Sequence, residues 1–87
     1  MEQEKLFSDI MNLIRETFPS MNNLTIEKPL LGQSEYSMDS LNTLKLIFIL
    51  EKHFGFRFTP QELIPSNFKN IHTIGLLVSK KLSQSDL

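Results

Sequence analysis

The chain has no cysteine and no tryptophan, only three glycines and four prolines among its 87 residues, and almost no excess of charge. Without cysteine there can be no disulfide and no thiolate metal site, and the chain has no thiol of its own. With so little glycine, no phosphate-cradling loop is built into it. Nine basic and ten acidic residues leave a net charge of −1, which gives no general attraction for nucleic acid or an anionic membrane surface. The longest apolar run, Leu46 to Leu50, is far too short to span a bilayer. The first residues, MEQEKLFSDIM, are charged and amphipathic and lack an apolar signal-peptide core. A soluble, cytoplasmic protein with neither nucleic-acid nor membrane partners is the expectation. His53 and His72 lie far apart with no acidic cluster at ligand spacing, so no metal site is expected. Neither a Ser/His/Asp order nor paired carboxylates with a supporting histidine occur, which argues against an enzyme.

What is present is apolar residues at helical spacing. Hydrophobic residues make up 40% of the chain, enough for one packed core and too few residues for a second. The expectation is one domain over 1–87 with its core at about 3–83, the closing SQSDL being a frayed tail. Leu6, Ile10, Leu13, Ile14 and Thr17 mark a first amphipathic helix near 3–18, stopped by Pro19. From Pro19 to Met38 the chain reads as a long loop in which Leu24, Ile26, Leu30 and Leu31 dip into the core. Loops of this length in small domains are usually functional. A second helix spans 40–54, with Asp39 suited to its N-cap and Gly55 to the left-handed position after it. Phe56-Arg57-Phe58 is extended. Thr59-Pro60-Gln61-Glu62 reads as a capping box opening a short helix that Pro65 ends. Ile71, Ile74, Leu77, Val78 and Leu82 mark the last helix, with Lys80 and Lys81 on a solvated face near its end. The fold class is all-α: a four-helix bundle of three main helices and one short one, with a long first loop.

The second helix is apolar on two sides. At about 100° per residue, Leu46, Ile47, Leu50 and Phe54 gather on one side, which must face the core. Leu41, Leu44 and Phe48 gather on the other, flanked by Lys45, Glu51 and Lys52, and Ser40 leads this second face. Two readings compete: the long loop folds over these residues, or they form a half-exposed docking surface with a charged rim. Ser40, a hydroxyl at a helix start beside the Asp39 carboxylate, favours docking. It is poised to be modified and then presented to a partner.

Asp39-Ser40-Leu41 at the start of the second helix resembles the Asp-Ser-Leu motif of the acyl carrier proteins. The amphipathic first helix, the long first loop, Leu50-Glu51-Lys52-His53-Phe54-Gly55, Phe58-Thr59-Pro60-Gln61-Glu62-Leu63 and the last helix fit as well, so the likeness covers nearly the whole chain. The resemblance implies 4′-phosphopantetheine on Ser40, joined through a phosphodiester by a separate Mg²⁺-dependent phosphopantetheinyl transferase using coenzyme A. Acyl groups then ride as thioesters on its terminal thiol, which answers the chain's lack of one. By the same analogy Asp39 positions Ser40 and contacts the transferase or its metal, besides its plain capping role. The implied partners are that transferase and the acyl-loading and acyl-transferring enzymes of a lipid, polyketide or specialised pathway, served by a monomer.

Two departures from the family pattern stand out. Tyr36 and Ser37 occupy positions where the family usually has leucine and glycine. Lys45 and Lys52 stand among the acidic residues of a helix that is typically strongly acidic in fatty-acid carriers. Together with Phe68-Lys69-Asn70-Ile71, this resembles specialised or secondary-metabolite carriers more than the housekeeping one. An aminoacyl or peptidyl carrier is the alternative, although aspartate rather than histidine before the serine argues against it. A second alternative is a helical interaction module that is never modified and uses Leu41, Leu44 and Phe48 to bind a partner helix.

Overall fold

A computed structural model describes residues 3–19, 21, 24–30 and 40–84. The fold is helical: α1 (Gln3–Thr17), α2 (Ser40–Phe54), a short 3-10 helix (Pro65–Phe68) and α3 (Ile71–Gln84), with no strand among the described residues. Asp39, Leu31, Tyr36, Ser37 and Met38 lie outside the described residues.

Each helix presents one apolar stripe to a shared core. Leu6, Ile10 and Ile14 from α1, Leu46 and Leu50 from α2, and Ile71, Ile74 and Val78 from α3 are buried completely or nearly so. The spacing of these residues at three, four and seven positions is what a 3.6-residue period requires of a one-sided helix. Leu13, Ile47, Phe54, Leu77 and Leu82 pack around them, half-buried, and Met11 fills a gap beside them. The first loop contributes Met21, Leu24 and Leu30 as buried residues and Ile26 as a half-buried one. Phe18, just past α1, is also in the core.

Helix ends follow local chemistry. The last amide tied to α1 is that of Phe18, which donates to the Ile14 carbonyl at 2.8 Å before Pro19 stops the helix. At the end of α2, Gly55 takes a φ of +75°, and the amides of Gly55 and Phe56 both return to the Glu51 carbonyl, at 2.9 and 3.3 Å. A left-handed residue at this position costs glycine nothing and other residues about 1 kcal/mol. Asn70 caps α3: its Oδ1 accepts from the Thr73 amide at 2.8 Å, and its own amide donates to Thr73 Oγ1 at 3.2 Å. The next free amide of α3, that of His72, donates to the Ile26 carbonyl at 2.8 Å, and the Leu30 amide donates to the Lys69 carbonyl at 2.7 Å. Those two bonds stitch the first loop to the start of α3.

Four expectations are corrected. Pro65 opens the short helix instead of ending it, because proline fits the first helical position and forces Ile64 before it to be extended (φ −114°, ψ 148°). The 59–63 stretch makes only turns, closed by the Glu62 amide on the Thr59 carbonyl at 2.9 Å. Half of the capping box is nevertheless there, since the Thr59 amide donates to Glu62 Oε1 at 2.8 Å. Ser83 and Gln84, read as tail, belong to α3. Lys81 is not on a solvated face. It is 9% exposed, its Nζ donates to Glu62 Oε1 at 2.7 Å, and it stands over the rings of Phe56 and Phe58 at 5.5 and 5.8 Å. A lysine drawn inward needs a carboxylate to offset its desolvation, and Glu62 supplies it.

Helices α1 and α3 make the most extensive helix pair. Gly75 permits their approach, because the Phe7 ring of α1 occupies the space that a Cβ at position 75 would need. That ring also lies 5.7 Å from the His72 ring, one turn away. Gly75→Ala is therefore expected to lower stability by about 1–3 kcal/mol. Alanine's better helix propensity, worth about 1 kcal/mol, works against that loss. Urea unfolding measures the difference, and a more stable variant would show that the ring moves aside without cost.

The Glu62 carboxyl is held below its ordinary value, first by the Lys81 hydrogen bond and then by the Thr59 amide, against a burial effect that raises it. A lowered folded value means that the stabilisation is present above the ordinary glutamate range. It is lost as pH falls through the lowered folded value. Glu62→Gln is expected to be less stable at neutral pH and to flatten the acid limb, the two proteins converging in strong acid. Unfolding curves at stepped pH test this.

Candidate functional site

The start and outer side of α2 carry most of the candidate residues. Ser40 is the first residue of the helix. No acidic residue occurs in the first turn of α2, so the positive dipole end there meets no carboxylate from the helix itself. That end is suited to an anion such as a phosphate group.

Leu41 is 73% exposed, Leu44 47% and Phe48 59%. They are three of the large apolar side chains that remain exposed, and they form the stripe expected opposite Leu46 and Leu50. Scattered exposed leucines are ordinary, whereas a contiguous stripe on one helix marks a contact surface. Lys45 and Lys52 flank it in solvent, and Lys45 Nζ sits 5.9 Å from the centre of the Phe18 ring. Glu51 is different: it is half-buried, and its Oε2 accepts the Phe58 amide at 2.9 Å. Its carboxylate therefore fixes the chain leaving α2 as well as standing at the rim. His53 is exposed with its ring edge-on to Phe54, while His72 belongs to the opposite end of the molecule's chain order, at the start of α3. Among the described residues no group of histidine and acidic side chains is placed to hold a metal.

Beside the stripe runs an apolar groove of about 310 Å³. Thr43, Leu44 and Ile47 of α2 form one wall, and Leu63, Ile64, Pro65 and Phe68 form the other. Leu63 and Ile64 are about half exposed. They escaped the sequence reading, which treated them as part of a short helix. A signal was available: two adjacent large apolar residues ahead of a proline cannot both turn into one core from an extended segment. The wall is held from behind. Glu62, the preceding residue, is bound to Lys81, and the Glu62 carbonyl accepts the Asn67 side-chain amide at 2.9 Å. Phe54, Phe56, Phe58 and Phe68 form a chain of ring contacts behind this segment, with centroids 6.2, 4.9 and 5.5 Å apart.

Three main helices, one short 3-10 helix, a long first connection and an exposed apolar helix face starting at Ser40 make up a small helical module. No protein-family model matches the chain. It is 31% identical over 64 residues to the acyl carrier protein of Coprothermobacter proteolyticus, a match spanning 72% of this chain and 76% of that one. The solution structure of a holo acyl carrier protein from Nitrosomonas europaea superposes with a TM-score of 0.64 at 27% identity, covering 93% of this chain and 92% of the other. The chain belongs to the acyl carrier protein family. As such it is a carrier and not an enzyme. No helix among the described residues is long and apolar enough to cross a membrane.

Because the stripe is exposed, Leu41→Glu and Phe48→Glu are expected to change stability by no more than about 0.5 kcal/mol. Leu50→Ala, deep in the core, is expected to lose about 2–5 kcal/mol. Thermal unfolding of the three variants checks the contrast. If the two glutamate variants unfold, the stripe is core.

Proposed function

We propose that Ser40 is the attachment site for 4′-phosphopantetheine, with Asp39 and Leu41 on either side of it, and that this chain carries acyl groups for a specialised biosynthetic pathway. The observation that carries the reading is the position of Ser40 at the first residue of α2, heading the exposed Leu41/Leu44/Phe48 stripe. The residues fit the group. A phosphodiester at this helix start meets the positive end of the α2 dipole and no carboxylate from the first turn of α2. When bound, the group supplies the terminal thiol that a cysteine-free chain lacks.

The chain's own residues then orient and shield. Ser40 is a weak nucleophile without a neighbouring base, so its activation falls to the transferase. Leu41, Leu44 and Phe48, with Lys45, Glu51 and Lys52 around them, give the transferase and the acyl-handling enzymes a surface to dock on. The groove between Leu44 and Leu63 offers the apolar part of an acyl chain a place out of water, at about 0.8 kcal/mol per methylene removed from solvent. Lysines on α2 support partners other than those of a strongly acidic carrier, hence a specialised pathway. A shared core built from α1, α2, α3 and the first loop supports reading 1–87 as one domain, and we propose that it acts as a cytoplasmic monomer.

Incubation with coenzyme A, Mg²⁺ and a broad-specificity transferase is expected to add the mass of one phosphopantetheine. Ser40→Ala is expected to abolish the gain while unfolding like the parent. An unmodified parent across several transferases would favour the interaction-module reading instead.

A further inference from the structure

The charge on the docking side of α2 is one-sided. Three of the chain's nine basic residues, Lys45, Lys52 and Arg57, fall between Leu41 and Phe58, but only one of its ten acidic residues, Glu51, does. The remainder of the chain is correspondingly acidic. All three cations are exposed. Lys52 and Arg57 have no ion-pair partner among the described residues. The one carboxylate within that stretch, Glu51, is half-buried and occupied with the Phe58 amide, and Asp39, the residue before α2, lies outside the described residues. At the carbonyl end of α2 the Glu51 carbonyl accepts both the Gly55 and the Phe56 amide.

Position along the helix matters as much as the count. Leu41, Lys45, Phe48 and Lys52 fall at i, i+4, i+7 and i+11, a single stripe in which apolar and cationic side chains alternate. Beyond Phe48 the stripe opens into a hollow of about 510 Å³ lined by Phe48, Glu51, Lys52, Gly55, Phe56 and Arg57. Two cations thus stand at an aromatic hollow at one end, and a third stands one turn from Leu41 at the other.

Resting on the reading of this face as a docking surface, we infer that the enzymes this carrier serves present carboxylates around an apolar socket. They dock along Leu41, Lys45, Phe48 and Lys52 as far as Arg57. Apolar contact supplies most of the affinity. The charges set encounter rate and choice of partner, attracting an acidic rim and repelling a basic one. Arg57 is part of this surface although it lies outside α2, because the turn at Gly55 brings it to the hollow.

The test is a binding titration of the isotope-labelled full-length chain, followed by NMR. The probes are two versions of one carrier-dependent ketosynthase: the parent, whose active-site entrance is lined by lysine and arginine, and a variant with those residues changed to glutamate. The glutamate version is expected to bind at least about tenfold more tightly at low salt. Shifts should centre on residues 41–57, and the advantage should fade as salt rises. Lys52→Glu combined with Arg57→Glu in the carrier is expected to reverse the preference. Equal binding to both versions, binding to neither, or a preference for the basic entrance overturns the inference. Loading of Ser40 is followed separately by mass, so a failure there counts against the attachment site and leaves the docking result readable.

Discussion

Leu46 and Leu50, one turn apart on α2 and fully buried, tie that helix to the rest of the molecule. The constraint behind them is a shortage of material. Three helices of 14 or 15 residues and a few loop side chains can enclose one core, but they cannot also cover the far side of a helix that is apolar on two sides. α2 is therefore anchored by one stripe and leaves the other in solvent. In most small proteins that would be a liability. Here the uncovered stripe begins at Ser40, the proposed attachment site.

The same shortage explains the construction behind the groove. The chain between α2 and α3 has too little apolar surface to hold itself by burial alone, so polar groups share the task. Glu51 takes the Phe58 amide, Glu62 takes Lys81 and the Thr59 amide, and Asn67 takes the Glu62 carbonyl. Phenylalanine rings fill the space between these anchors. Leu63 and Ile64 can then stay half exposed without the segment losing its shape, and a groove persists where a looser chain would collapse.

Legibility in the sequence tracks how local the cause is. The bounds of α2 were readable because a polar loop precedes it and Gly55 follows it. Its two faces were readable because a helical wheel needs only the period. Burial of Leu24 and Leu30 was readable because they are large apolar residues in a largely polar first loop. Lys81 was misread because its partner is 19 positions away and nothing near it announces burial. The short helix was misplaced because Thr59 and Glu62 do form part of a cap, but with Glu62 shared with Lys81 and Pro65 three residues on, the turn does not propagate. The groove wall depends on the fold bringing Leu63 and Ile64 beside α2, and no window of sequence contains that.

The stitch between the first loop and the start of α3 bears on how the chain folds. Asn70 and Glu27, joined through the Asn70 side chain, are 43 residues apart, and the His72–Ile26 and Leu30–Lys69 bonds span a similar distance. Closing so long a loop costs entropy that only the completed core repays, with the cost growing as the logarithm of its length. α3 can form its later turns from local bonds alone, but its first turn is finished only when the loop returns. The first loop therefore has its final hydrogen-bond partners only once the start of α3 is in place.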